Sequence, residues 1–141
     1  MKAWRVVLAI GLFGLVTAIQ FVPIDRTNPP ERDPAIAPPD VHVILQRSCF
    51  DCHSNETRWP WYSRVAPASF LISRDVIEGR RELNLSIWSQ YDARRKARKL
   101  REIAEQVETG KMPQWYYLLL HPRARLSESD RQLLIEWSRR P

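Results

Sequence analysis

Two cysteines, Cys49 and Cys52, stand three positions apart with His53 directly behind them, and no other thiol occurs in the chain. A pair with nothing else to bond acts as one unit. Whatever it holds must sit inside the fold, so the fold has to be built around it. The chain has 141 residues, room for one small domain with one core. Glycine is scarce (4), whereas proline (11) and tryptophan (6) are plentiful. That mix favours helices joined by stiff, irregular connections over a tight β meander.

Periodicity supports this reading. Asp40 can cap a helix beginning "VHVILQRSCFDCH", with Val41, Ile44, Leu45, Ser48 and Cys52 at three- and four-residue steps. A second helix, "SFLISRDVIEGRREL", follows Pro67, with Phe70, Leu71, Val76 and Ile77 as its apolar stripe and Gly79 weakening its last turn. A third runs from Asp92 to Thr109 and stops at Gly110, with Ala93, Ala97, Leu100, Ala104 and Val107 on one face. The last, "LSESDRQLLIEWSRR", starts on a capping-box-like Ser127–Asp130 pair and buries Leu133, Leu134 and Trp137. No stretch alternates as a strand. The expected class is a small all-α domain with long loops.

The N-terminal end reads differently. "MKAWR" carries Lys2 and Arg5, and Val6 to Val22 then runs without a charge, the pattern of a secretory signal or a signal anchor. As a helix it is roughly 26 Å long, the short end of what crosses a bilayer core. "VTA" at 16–18 offers a small residue for cleavage, and an uncleaved anchor is the first reading, a cleaved signal the second. The basic flank stays cytoplasmic by the positive-inside rule, which puts the remainder on the outer, periplasmic face. Prolines 23, 29, 30, 34, 38 and 39 follow. This segment is a polyproline-type stalk able to hold the domain up to roughly 50 Å from the bilayer, or else a strap wrapped on its surface. The division is therefore anchor 1–22, linker 23–39 and domain 40–141.

C-x-x-C-H is the attachment signature of c-type haem. The thiols add to the two porphyrin vinyl groups, and the next residue then lies under the iron, where an imidazole nitrogen can bind it. Other uses of the pair fit less well. A disulfide between Cys49 and Cys52 closes too small a loop to constrain the unfolded chain much. A thioredoxin-type pair belongs at the head of a helix after a strand. Zinc needs a further ligand pair, and only His42, His53 and His121 are on offer. For the other side of the iron the first candidate is Met112, the only methionine besides the initiator, in the Gly/Pro loop "TGKMPQWYY". His121, in "LLLHPRARLS", is the runner-up, and its alternative role is a turn residue before Pro122. His42 shares the first helix with the motif and cannot reach across.

Three blocks, "SCFDCHSNETRWPWYSRVAP" (48–67), "MPQWYYLLLHPRARLS" (112–127) and "IEW" (135–137), resemble the haem-binding domain family of membrane-anchored or periplasmic bacterial c-type cytochromes. The resemblance covers nearly all of residues 40–138. It implies a cytochrome c-like helical fold, thioether links at Cys49 and Cys52, His53 as proximal ligand and Met112 as distal ligand. "MPQ" stands where related sequences often read "MPP". Trp59, Trp61 and Tyr62 follow the first block closely, and Trp115, Tyr116 and Tyr117 follow Met112. Both groups are candidates for the haem walls or for simple core packing.

The functional expectation is a one-haem electron carrier, not an enzyme, with haem c as cofactor and no small-molecule substrate. The alternative is a haem sensor or peroxidase-like site with a displaceable distal ligand. The formal charge of +6 and the run "RRKARKLR" at 94–101 suit either a solvated face or a docking patch for an acidic redox partner. Nucleic acid is not expected of an exported domain.

Overall fold

The computed structural model describes residues 3–30, 34, 35 and 37–140. Lys2 of the basic flank and residues 31–33 and 36 of the proline-rich segment lie outside them. The apolar run forms α1 (Ala3–Ala18), extended by a 3₁₀ turn over Ile19–Phe21, and none of its side chains is buried. With that turn it is long and apolar enough to cross a membrane, a property it shares with signal sequences.

The next helix, α2 (Pro39–Ser48), starts on Pro39 rather than on an Asp40 cap. Proline suits that first position because its missing N–H would be unpaired there anyway. Asp40 lies inside the first turn and accepts only from the N–H of Val41. The helix does not continue through the cysteines as its periodicity suggests. It stops at Cys49 (φ −127°, ψ −33°), and Phe50–His53 forms a separate single turn, α3. Cys49 O accepts from the N–H groups of both Cys52 and His53. Ser54 closes the turn by donating its hydroxyl to Phe50 O at 2.8 Å.

α4 (Ala68–Glu82) departs further from expectation. Of its apolar stripe only Val76 is buried, while Phe70, Leu71 and Ile77 are exposed. The face turned inward carries Ser69, Ser73 and Val76, small side chains that let α4 lie close against α3 and the 3₁₀ turn Trp61–Arg64.

α5 (Ala93–Glu108) is capped by Asp92, whose carboxylate accepts from the Arg95 N–H at 2.7 Å. Ala104 and Val107 are buried as expected, but Ala93 and Ala97 are exposed and Lys99 is buried. Its acidic C-terminal end opposes the helix dipole. Two arginines from elsewhere correct this: Arg139 pairs with Glu108, and Arg131 donates to Val107 O at 2.8 Å. After α5, Gly110 takes φ +66°, Gly110 N–H bonds Val107 O and Lys111 N–H bonds Gln106 O. Only a residue without a Cβ adopts that conformation freely, and the stop sets where Met112 begins. A short helix not read from sequence, α6 (Trp115–Leu120), follows.

α7 (Glu128–Arg139) opens on the expected capping box of Ser127 and Asp130 and packs on α5 and α2. The main core gathers Val41, Ile44 and Leu45 of α2 with Phe50, Leu85, Val107, Leu126 and Leu134. Leu133 and Trp137 pack on its edge, half-buried. No strand occurs among the described residues, so the all-α class holds.

Residues 25–30 lie along the domain, as the strap reading requires. Arg26 donates to Ser63 O, Asn28 to Thr57 O, and Ser73 to Asp25 O. Arg80 on α4 joins the layers by donating to Thr27 O, Asn28 Oδ1, Ser54 O and Thr57 Oγ1.

Ser127→Ala is expected to cost about 1 kcal/mol at neutral pH, read as a lower urea midpoint with an unchanged slope. Burial pushes the Asp130 carboxyl upward, but its hydrogen bonds to Ser127 and Arg47 outweigh that and hold it below its ordinary 3.8. The carboxylate's contribution is present above that ordinary value and is lost as pH falls through the lower folded one. The gap between wild type and variant therefore narrows in acid.

Candidate functional site

The three residues of the signature meet α4 at one point. His53 Nδ1 lies 3.0 Å from Gly79 O and 3.2 Å from Leu83 O. Both partners are carbonyls and can only accept, so Nδ1 carries the proton and Nε2 keeps its lone pair. Gly79 O also accepts from the Leu83 N–H at 2.8 Å, and Leu83 is the residue that caps the C-terminal end of α4. Burial lowers the imidazole pKa, against the opposing pull of the two carbonyls, and the ring stays neutral. It is a fixed, uncharged imidazole with one ring nitrogen free to bind metal.

Gly79 makes the contact feasible. A Cβ there would lie 2.5 Å from Cys52 O and 3.1 Å from Cys52 Cβ. Glycine is therefore what lets α4 touch the cysteine turn.

Cys49 and Cys52 are free thiols, half-buried at the rim of a cavity. Burial pushes both up to about 12, with the Asp51 and Asp75 charges adding to the effect at Cys52. Burial thus disfavours the thiolate that redox-active cysteines depend on. Among the described residues no three His, Cys, Asp or Glu side chains converge on a metal position. This donor set fits an iron already held by a macrocycle, which takes only one or two ligands from the protein.

Two cavities share this rim. The first, about 380 Å³, is lined by Cys49, Cys52, His53 and Met112, with Leu71, Ile72 and Val76 as an apolar wall. The second, about 390 Å³, also touches Cys49, His53 and Met112 and is closed by Leu45, Leu85, Ile103 and Val107. Each falls within the usual range for ligand sites, ~300–1,000 Å³. Leu71 is thus exposed toward a cavity rather than misplaced. The Ser48 hydroxyl is buried without a partner among the described residues. Apolar walls and a prepared imidazole fit haem.

The aromatic walls differ from expectation. Tyr62, Tyr116 and Tyr117 line the first cavity, whereas Trp59, Trp61 and Trp115 line neither. Trp59 donates to Asn28 Oδ1 of the strap, and Trp61 and Trp115 are 77% and 73% exposed. The tyrosines end on polar partners, which a tryptophan could not serve in the same way. Tyr117 donates to Asp51 Oδ2 at 2.7 Å and Tyr116 to Asp75 Oδ2 at 2.9 Å. Asp51, between the two cysteines, also accepts from the Arg58 N–H. It ties α6 directly to α3.

His121 lines the first cavity, but its nitrogens are engaged. Nδ1 donates to Tyr117 O at 3.1 Å, and Nε2 accepts from Tyr62 OH at 3.1 Å. Its ring stacks on Tyr117, centroids 4.1 Å apart. Met112 opens on both cavities and carries no such restraint at its sulfur. His42 lines neither cavity and packs edge-on against Phe50.

The family model of the haem-binding domain matches residues 14–140, and the chain belongs to that family. It binds haem. The match begins inside α1 and includes the strap, so residues 14–39 are covered together with the helical domain. Comparison with curated proteins and with solved structures found no match.

Gly79→Ala sets two effects against each other. Alanine favours a helix by about 1 kcal/mol, but overpacking against fixed backbone costs about 1–3 kcal/mol. With a carbonyl oxygen 2.5 Å away, the clash wins. The variant is expected to unfold at lower urea and to retain less haem per chain.

Proposed function

We propose that the chain is a membrane-anchored, single-haem electron carrier. Cys49 and Cys52 would hold the haem by thioether bonds, and His53 Nε2 and the Met112 sulfur would be its iron ligands. The observation that carries this reading is the His53 ring. Its Nδ1–H is taken by Gly79 O and Leu83 O at the rim that both cysteines and Met112 share. Bound there, the haem supplies a reversible one-electron change at its iron.

The protein's part is to orient, to dry and to restrain. The α4 carbonyls hold the imidazole plane and tautomer. Leu71, Ile72 and Val76 exclude water, and a dry shell together with methionine ligation raises the reduction potential. The Gly110 stop fixes the loop before Met112, and the Tyr116–Asp75 and Tyr117–Asp51 bonds fix α6 after it. α1 is an uncleaved anchor with the haem domain on the outer face, by the basic flank that precedes it. The exposed arginines of α5, among them Arg94, Arg98 and Arg101, suit an acidic redox partner.

A haem sensor or peroxidase-like site is the second reading. Tyr62, Tyr117 and His121 favour it, because they line the first cavity together with Met112 and would put polar side chains near a displaceable ligand once their mutual bonds rearrange.

In Cys49→Ala/Cys52→Ala, haem is expected to be lost from the denatured chain, seen as absence of haem stain on a denaturing gel. Retained stain would overturn covalent attachment. In Met112→Ala, the sulfur-to-iron charge-transfer band of the ferric protein is expected to disappear and the reduction potential to fall. If the wild type lacks that band and its reduced form binds carbon monoxide readily, the sensor reading replaces the carrier.

A further inference from the structure

The end of α1 is locked to one loop of the haem domain. Gln20, in the 3₁₀ turn that closes the apolar helix, bonds Ala66 twice: Oε1 accepts from Ala66 N–H at 2.9 Å, and Nε2 donates to Ala66 O at 3.3 Å. Arg26 then reaches Ser63 O at 3.2 Å. Residues 63–66 therefore lie level with the last turn of the helix. The same loop points large apolar side chains outward. Trp61 is 77% and Val65 45% exposed, beside Phe21 at 81% and Val22 at 49% on the helix end. Arg26 and Arg64, both exposed, flank them.

We infer that the Trp61–Ala66 loop docks into the headgroup layer of an anionic bilayer, holding the haem domain flat against the membrane that anchors it. This rests on the reading of α1 as an anchor. Exposed tryptophan with flanking arginine is the composition of an interfacial segment: the indole sits at headgroup depth and the guanidinium groups pair with lipid phosphates. Each arginine near an anionic surface adds to the attraction. The occupant follows from continuity, because lipid around Phe21 and Val22 would lie next to the loop that their neighbour Gln20 bonds at Ala66. A soluble protein partner would have to displace it. Pro60 and Tyr62 of this loop line the first cavity. Docking therefore sets that rim at the headgroups and gives the haem edge one orientation to the membrane.

The test uses the full-length, haem-loaded protein in vesicles of phosphatidylethanolamine and phosphatidylglycerol carrying a photoactivatable diazirine on the headgroup. Labelled peptides are identified by mass spectrometry. Label is expected on both 3–22 and 61–66. Trp61→Glu/Val65→Glu is expected to lower the second by roughly tenfold, the scale set by two added carboxylates at an anionic surface, and to leave the first unchanged. Label on 3–22 with none on 61–66 overturns the docking. A wild type without label on 3–22, or one released by alkaline carbonate, overturns the anchor reading and the docking with it.

Discussion

The hydrogen bonds from the His53 ring to the carbonyls of Gly79 and Leu83 are the constraint on which the rest of the site depends. They set the imidazole tautomer and hold the cysteine turn against the end of α4 in one step. Because the helix end supplies two acceptors, the proton has no alternative position on the ring. Gly79 is the other half of the same contact, since any Cβ would meet the Cys52 carbonyl. Without that approach α4 would stand off, its carbonyls would lose the imidazole, and the cavity would lose its Leu71 and Ile72 wall.

A second layer of polar bonds keeps α4 where the ring needs it. Arg80, next to Gly79, reaches back to the strap and to the loop after His53 with four donations. Behind it, Asn84 Nδ2 donates a buried hydrogen bond to Asn55 Oδ1, and Ser86 and Tyr91 complete the hydrogen bonding of the two residues. Buried polar groups satisfied in this way specify one arrangement of loops where apolar contacts alone would allow several. The strap is part of this lattice, which agrees with a family match that begins well before α2.

Where the sequence misleads, the cause is an occupant or a partner that periodicity does not contain. The stripe Phe70, Leu71, Ile77 on α4 is apolar, yet it does not face the protein core; Leu71 faces a cavity. Tryptophans near the motif are drawn to the strap or to solvent, while the tyrosines reach Asp51 and Asp75 with their hydroxyls. Gly79 stands out in the sequence only as a residue that weakens a helix; that it admits Cys52 appears only in the fold. Asp51 carried no signal, since a carboxylate between two cysteines is by itself an ordinary surface residue.

The sequence alone determined the all-α class, the helix that opens on the Ser127 capping box, the stop at Gly110 and the apolar N-terminal helix. It also marked Cys49, Cys52 and His53 as one signature. These features rest on short-range rules, namely helix period, end caps, a positive φ and a five-residue signature, and so they can be read along the chain. Tertiary structure decided the rest: the break at Cys49, the tautomer of His53, the engagement of His121 by Tyr62 and Tyr117, and the path of the strap over the domain. The His53 tautomer, the Tyr62–His121 bond and the path of the strap depend on carbonyls, hydroxyls or amides from residues tens of positions away. Backbone acceptors look the same at every residue in a sequence, and only folding selects which two of them meet an imidazole.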